Sequence, residues 1–387
     1  MKNFCTSVTL FIVGLAPLVS NAQGCSFDIT YTSYTTPQMT AFNYAAGIWT
    51  YYLNSTIPIK INTVYFTYPG GPLAITFSNG RKDFAGAPYD STWYPTSLAN
   101  AMTGVEQNPG EVDMDIYVNG AFSWYYGTDG ATPAGQYDFV SVIMHEIGHG
   151  LGFTSLAKKD STMGSIGCLQ MSDFAPVVTS FPWPDQDTLP GIMDQFIENN
   201  PGAALLSHAN PSTALGTQLT NNGQYFDGPY TLAANGGNRA RLYAPGSFQL
   251  GTSILHLNEG TYPVGHAEEL MTPFITTGNA HHSVGPMTMG MLQDMGWVKY
   301  IGVNEHEKST PVWNLWPNPA EDFITIMQLP DGEKEIVLTA VTGQLIQRYN
   351  TSLLQERIDL SQLPNGFYEV TVTQNGVNKS RKLCIAR

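Results

Sequence analysis

The residues best suited to chemistry are His145, Glu146 and His149, in the run Asp138-Phe-Val-Ser-Val-Ile-Met-His-Glu-Ile-Gly-His-Gly-Leu-Gly152. Two histidines four apart project from one face of a helix, which suits two ligands of one tetrahedral zinc ion. Glu146 between them is placed to act as general base on a metal-activated water and to pass the proton to a leaving amine. The element that must position these groups is a helix. Phe139, Val142, Ile143, Ile147 and Leu151 recur at helical spacing, and Asp138 can cap the first turn. Gly150 and Gly152 are expected to break the helix so that a third ligand can arrive from elsewhere.

Spacing alone does not choose that third ligand. A nearby His, as compact signatures have, would fall at Ser155, a residue type outside the usual zinc set. Glu198 lies in Phe196-Ile-Glu-Asn199, which reads as the end of a surface helix. The remaining candidates are His208, His256, His266, His281 and His282, of which His281 and His282 read as surface residues in a Gly-Asn-Ala-His-His loop.

The order of motifs after the helix carries a resemblance. His256 lies in Gly251-Thr-Ser-Ile-Leu-His-Leu-Asn-Glu259, followed by Glu269-Leu-Met-Thr-Pro273, Gly285-Pro-Met-Thr288 and Leu292-Gln-Asp-Met-Gly-Trp297. This resembles the leishmanolysin-like branch of the metzincin zinc peptidases, in which a long insertion separates the third His from the metal helix. The resemblance implies His256 as the third ligand, with His266 as runner-up, and Met271 as the methionine of the turn beneath the metal. It extends to the N-terminal half. Ala41-Phe-Asn-Tyr-Ala-Ala-Gly-Ile-Trp49 reads as a helix, and Ile57–Ile61 and Asp113–Tyr117 read as strands. They look like a metzincin upper half, whose sheet edge can take up an extended peptide as an added strand. Trp124-Tyr-Tyr-Gly-Thr-Asp-Gly130 reads as a turn, although Asp129 offers a carboxylate to a structural cation such as Ca2+.

Past residue 300 the chain changes character. Residues 23–300 carry 8 basic and 21 acidic residues in 278 positions, whereas residues 301–387 carry 8 and 10 in 87. Residues 301–312 read as a polar linker. Beyond it lie short strand patterns at Phe323–Met327, Ile336–Val341 and Phe367–Val372, and Gln374-Asn-Gly-Val377 is a strong two-residue hairpin signal. A small β-sandwich is expected over residues 313–387. Trp316-Pro-Asn-Pro-Ala320, Thr342-Gly-Gln344, Ile358-Asp-Leu360, Gly366-Phe-Tyr368 and Lys382-Leu383 make this tail similar to the C-terminal sorting domain of type IX secretion substrates. That resemblance implies export across the outer membrane of a Gram-negative bacterium and contact with the type IX machinery.

The N-terminus agrees with export. Lys2, the apolar run Val8–Val19 and Ser20-Asn-Ala22 form a secretory signal pattern with cleavage after Ala22, and no later stretch is long and apolar enough to span a membrane. Cys25 and Cys168 lie in the same domain and are the natural disulfide pair in an oxidising compartment; Cys384 lies in the tail. The formal charge of −14 leaves no basic face for nucleic acid. The sequence therefore predicts an α+β, metzincin-like zinc domain over 23–300 followed by an all-β sorting domain. The expected activity is a secreted or cell-surface zinc endopeptidase acting on proteins or peptides. The alternatives are a catalytically silent adhesin of the same fold and a zinc amidase acting on cell-wall substrates.

Overall fold

A computed structural model describes residues 24–174 and 187–298 and, in the tail, 313–327, 329, 332–340, 344–374 and 377–387. The signal pattern, the 301–312 linker and the Asn375-Gly376 turn lie outside the described residues. The chain separates into two compact units, Met1–Val303 and Asn304–Arg387.

The first unit begins with strand β1 (Phe27–Thr32), helix α1 (Thr36–Trp49), and strands β2 (Ile59–Phe66) and β3 (Ala74–Ser78). Helix α2 (Thr96–Thr103) and strand β4 (Met114–Asn119) follow. The four strands form one sheet in the order β1-β2-β4-β3, parallel except for β3, which runs antiparallel along the edge. Residues alternate between faces, so β2 buries Ile59, Ile61 and Thr63 and β4 buries Met114, Ile116 and Val118. The strand expected from Ile57 begins at Ile59.

Helix α3 (Phe139–Gly150) packs against α1 and the sheet, and Trp49 Nε1 donates to the Met144 carbonyl at 3.1 Å. Asp138 caps it, accepting from Ser141 N–H at 2.7 Å. Gly150 does not break this helix. It is the last helical residue, and a Cβ there would overlap Met114 Sδ; the turn instead uses Gly152 at φ 121°. Gly150→Ala is expected to cost about 1–3 kcal/mol by overpacking the buried Met114, measurable as a lower denaturant midpoint with an unchanged m-value.

After α3 comes a hairpin of β5 (Ala157–Asp160) and β6 (Met163–Ile166). A three-stranded sheet of β7 (Ile197–Asn199), β8 (Gln224–Phe226) and β9 (Ala240–Arg241) follows. Glu198 thus sits in a strand, paired across to Tyr225 and salt-bridged to Arg239, and not at a helix end. Short helices α4 (Thr213–Gln218) and α5 (Pro229–Ala234) and the closing α6 (Pro286–Met295) complete the unit. Two carboxylates, the buried Glu268 and the half-buried Asp294, fasten α5 and α6. Glu268 accepts from Met287 and Thr288 N–H at the start of α6, and Asp294 accepts from Tyr230 and Thr231 N–H at the start of α5. Trp297 Nε1 then donates to the Leu151 carbonyl at 2.7 Å, locking the end of the unit to the end of α3.

The expected Cys25–Cys168 disulfide is not formed. Both are free thiols, Cys25 buried in the main core and Cys168 in the loop after β6 with its Sγ toward the Ile166 carbonyl. Burial pushes the Cys25 thiol up to about 12, so it supplies little thiolate for disulfide exchange. In the native protein Cys25 should resist iodoacetamide at pH 8 and alkylate only on unfolding; a Cys25–Cys168 linked peptide in a non-reducing map would contradict this arrangement.

The second unit is all β. One sheet joins β10 (Asn314–Trp316), β11 (Phe323–Met327) and β14 (Glu356–Asp359). The other runs β13 (Leu345–Thr351), β12 (Lys334–Ala340), β15 (Gly366–Gln374), β16 (Val377–Ile385). Ile324, Ile326 and Ile358 from one and Ile336, Leu338, Val370 and Leu383 from the other share one core, as a sandwich requires. Gln374 pairs with Val377, the register that a two-residue connection dictates.

Candidate metal centre

His145 and His149 project from α3, one turn apart, and meet His256 from the loop before Met271. The Nε2 atoms lie 2.9 Å (His145–His149), 3.2 Å (His149–His256) and 3.2 Å (His145–His256) apart. Each Nδ1 faces a backbone carbonyl: Leu270 for His145 at 2.6 Å, Phe153 for His149 at 2.6 Å and Thr252 for His256 at 2.8 Å. A carbonyl only accepts, so each Nδ1 carries the proton and each Nε2 presents a lone pair. The short Nε2 contacts are therefore not hydrogen bonds. Burial also pushes all three pKa values down, His149 to about 3, so none gains a proton to donate to its neighbours. Three converging lone pairs with no proton among them could hold a cation. Their separations approach the ~3.3 Å edge set by nitrogens ~2.0 Å from one tetrahedral centre.

Glu146 lies beside this cluster, 5% exposed, with its Oε2 accepting from the Thr76 hydroxyl at 2.6 Å. Burial raises its pKa to about 7, with the Thr76 bond pulling the other way. Thr76 belongs to edge strand β3, which was not singled out in the sequence although Ala-Ile-Thr-Phe-Ser carries a strand pattern. Beneath the histidines Met271 packs on Gly148, where a Cβ would stand 2.7 Å from Met271 Sδ.

The other expectations sort by position. His266 is exposed on the loop before Met271, its ring against Tyr262, and does not join the cluster; His208 does not either. Ser155 is buried and donates to the Asp194 carboxylate at 2.6 Å. Asp194 also accepts from Leu156 and Gly191 N–H and so fixes the turn whose Phe153 carbonyl holds His149. His281 and His282 are not surface residues: each side chain is 16% exposed, with His282 on Asp138 at 2.7 Å and His281 on Glu269 at 3.3 Å. Asp129 accepts from the Tyr125 hydroxyl and Ala131 N–H, closing a turn.

Above the cluster lies a cleft of about 520 Å³. Its walls include all of β3, Val142, Leu156, Phe174, Leu255 and Phe274, and it contains the three histidines and Glu146. Cys25 does not line it.

Comparison with known families divides the chain the same way. The model of the secretion system C-terminal sorting domain matches residues 314–386. The tail is a sorting domain. A second family model, described as SPBPB7E8-like, matches residues 91–181, which hold His145, Glu146 and His149 but not His256. No curated protein matches the chain. The sorting domain's matched range runs from the first strand of the sandwich almost to its last residue.

Proposed function

We propose that the first unit is a zinc-dependent endopeptidase of metzincin type, exported by the type IX route through its sorting domain. The observation that carries the reading is the tautomer set: three neutral imidazoles aim bare Nε2 atoms at one point beside a buried carboxylate. Zinc held by His145, His149 and His256 would acidify a water and polarise a carbonyl there. Glu146 is positioned to take up a proton and deliver it to the leaving amine, and the Thr76 hydroxyl fixes the carboxylate's rotamer for that transfer. The edge of β3 offers backbone donors and acceptors to an extended chain beside these groups, which favours a polypeptide over a compact cell-wall amide.

Export fits the sorting domain and the signal pattern, and among the described residues no helix is long and apolar enough to cross a membrane. Delivery to the surface or medium of a Gram-negative bacterium, by contact between residues 313–387 and the secretion machinery, follows from the same reading. Casein incubated with the purified protein should be cleaved, and a chelator should stop cleavage until zinc is restored. Zinc binding without cleavage of casein would leave a silent adhesin, and cleavage of peptidoglycan in place of casein would leave an amidase.

A further inference from the structure

Apolar and polar side chains wall the cleft, and the carboxylates among them are Glu146 and Glu269. Glu269, 8% exposed, accepts from Gly265 N–H and from Asn279 Nδ2 at 3.0 Å, and its Oε1 lies 3.3 Å from His281 Nδ1. Glu269, Asn279 and His281 all line the cleft. Their place near the histidines is fixed twice. The His281 N–H donates to Ser141 Oγ at 2.7 Å, one helical turn before His145, and Glu269 precedes Leu270, whose carbonyl holds His145.

The protonation pattern gives this patch a single polarity. A carboxylate only accepts, so Asn279 turns its amide nitrogen toward Glu269 and keeps its oxygen as an acceptor, while the His281 ring lies with Nδ1 toward Glu269 and Nε2 toward the Ser283 hydroxyl. Burial holds the His281 pKa below its usual value, although Glu269 pulls it upward. The Ser283 hydroxyl, 3.3 Å from His281 Nε2, can donate to it or rotate away. An acceptor-rich patch with a carboxylate, in a cleft that Phe122, Tyr137, Val142 and Ile275 also line, matches a side chain with an apolar stem and a donor-only head.

We infer that Glu269, Asn279 and His281 form a specificity pocket for a lysine or arginine side chain of the peptide substrate. This rests on the endopeptidase reading and names the substrate class of the same cleft. A separate observation agrees with it. Residues 23–300 contain 8 basic residues, and six of these are held by partners: Lys60 by Glu106, Lys82 by Asp187, Lys158 by Asp173, Lys159 by Thr220, Arg239 by Glu198 and Arg241 by the Asn222 carbonyl. An enzyme selective for basic side chains would find few accessible ones on itself, and its acidic surface would draw basic segments in.

The test uses the full zinc-loaded protein and a peptide series differing at one residue beside the cleaved bond: Lys, Arg, norleucine or Glu. The expected kcat/KM for Lys or Arg exceeds that for norleucine by at least about 10-fold, because norleucine leaves the polar patch unpaired. Glu269→Gln and, separately, His281→Leu should bring the Lys-to-norleucine ratio close to one. In calorimetry, a Lys-containing product peptide should bind more tightly than its norleucine counterpart, a difference lost in both variants. Chelator-sensitive cleavage with no preference for Lys or Arg, or a ratio unchanged in both variants, overturns the pocket and leaves the peptidase standing. Absence of chelator-sensitive cleavage of every peptide overturns both.

Discussion

Glu146→Gln is expected to retain stoichiometric zinc and lose about 10³-fold in kcat/KM on any peptide the native protein cleaves. The amide keeps the size of the side chain and can still meet the Thr76 hydroxyl, so the cleft should keep its shape. What it lacks is a basic oxygen to accept a proton. The three Nδ1–carbonyl contacts that orient the histidines involve none of the Glu146 atoms, which is why zinc should stay. Metal analysis and steady-state kinetics on the same preparation check both halves, and near-native activity would remove Glu146 from the mechanism. The native pH profile should show an acid limb, because the carboxylate must be ionised to act as base. Burial, partly offset by the Thr76 bond, raises its pKa to about 7, and a bound dication favours the charged form, so the limb belongs below that value.

His256→Ala should weaken zinc binding by more than about 100-fold, since even the loss of a partner behind a ligand costs 10- to 100-fold. His266→Ala should leave zinc affinity unchanged, because that ring stands on Tyr262 outside the cluster. A competitive chelator titration of the two variants separates these outcomes. Zinc lost from the His266 variant and kept by the His256 variant would reverse the assignment. His256 also matters to the other two rings. Its removal opens space between Thr252 and α3, so some loss of thermal stability should accompany the loss of metal.

Much of the site was legible because it is local. His145, Glu146 and His149 lie within five residues on one helix, and helical periodicity alone puts the two rings on one face. The strands of the tail were legible for a similar reason: alternation and turn residues act over a few positions, and Phe323–Met327 lies where the pattern puts it. The edge strand β3 carried an equally local pattern but stands between two glycine-containing turns, and only its pairing with β4 gives Thr76 a direction toward Glu146.

Errors arose where distant groups meet. His281 and His282 look like exposed residues until Asp138 and Glu269 come from elsewhere to receive them in their loop. Glu198 looked like a helix end until its strand partner Tyr225 was present. Cys25 and Cys168 share a unit, yet one is sealed in its core and the other follows a hairpin, a separation that co-residence in a domain cannot reveal.

The sequence by itself determined the helix that carries His145, Glu146 and His149, the boundary near residue 300 and the sorting tail, since each rests on short-range spacing or composition. Only the tertiary structure decided which protons the histidines carry. Carbonyls from residues 153, 252 and 270 are identical in kind to every other carbonyl in the chain, and only the fold brings one to each Nδ1. The same holds for the acceptor patch at Glu269, which exists because Gly265, Asn279 and His281 converge on one buried carboxylate.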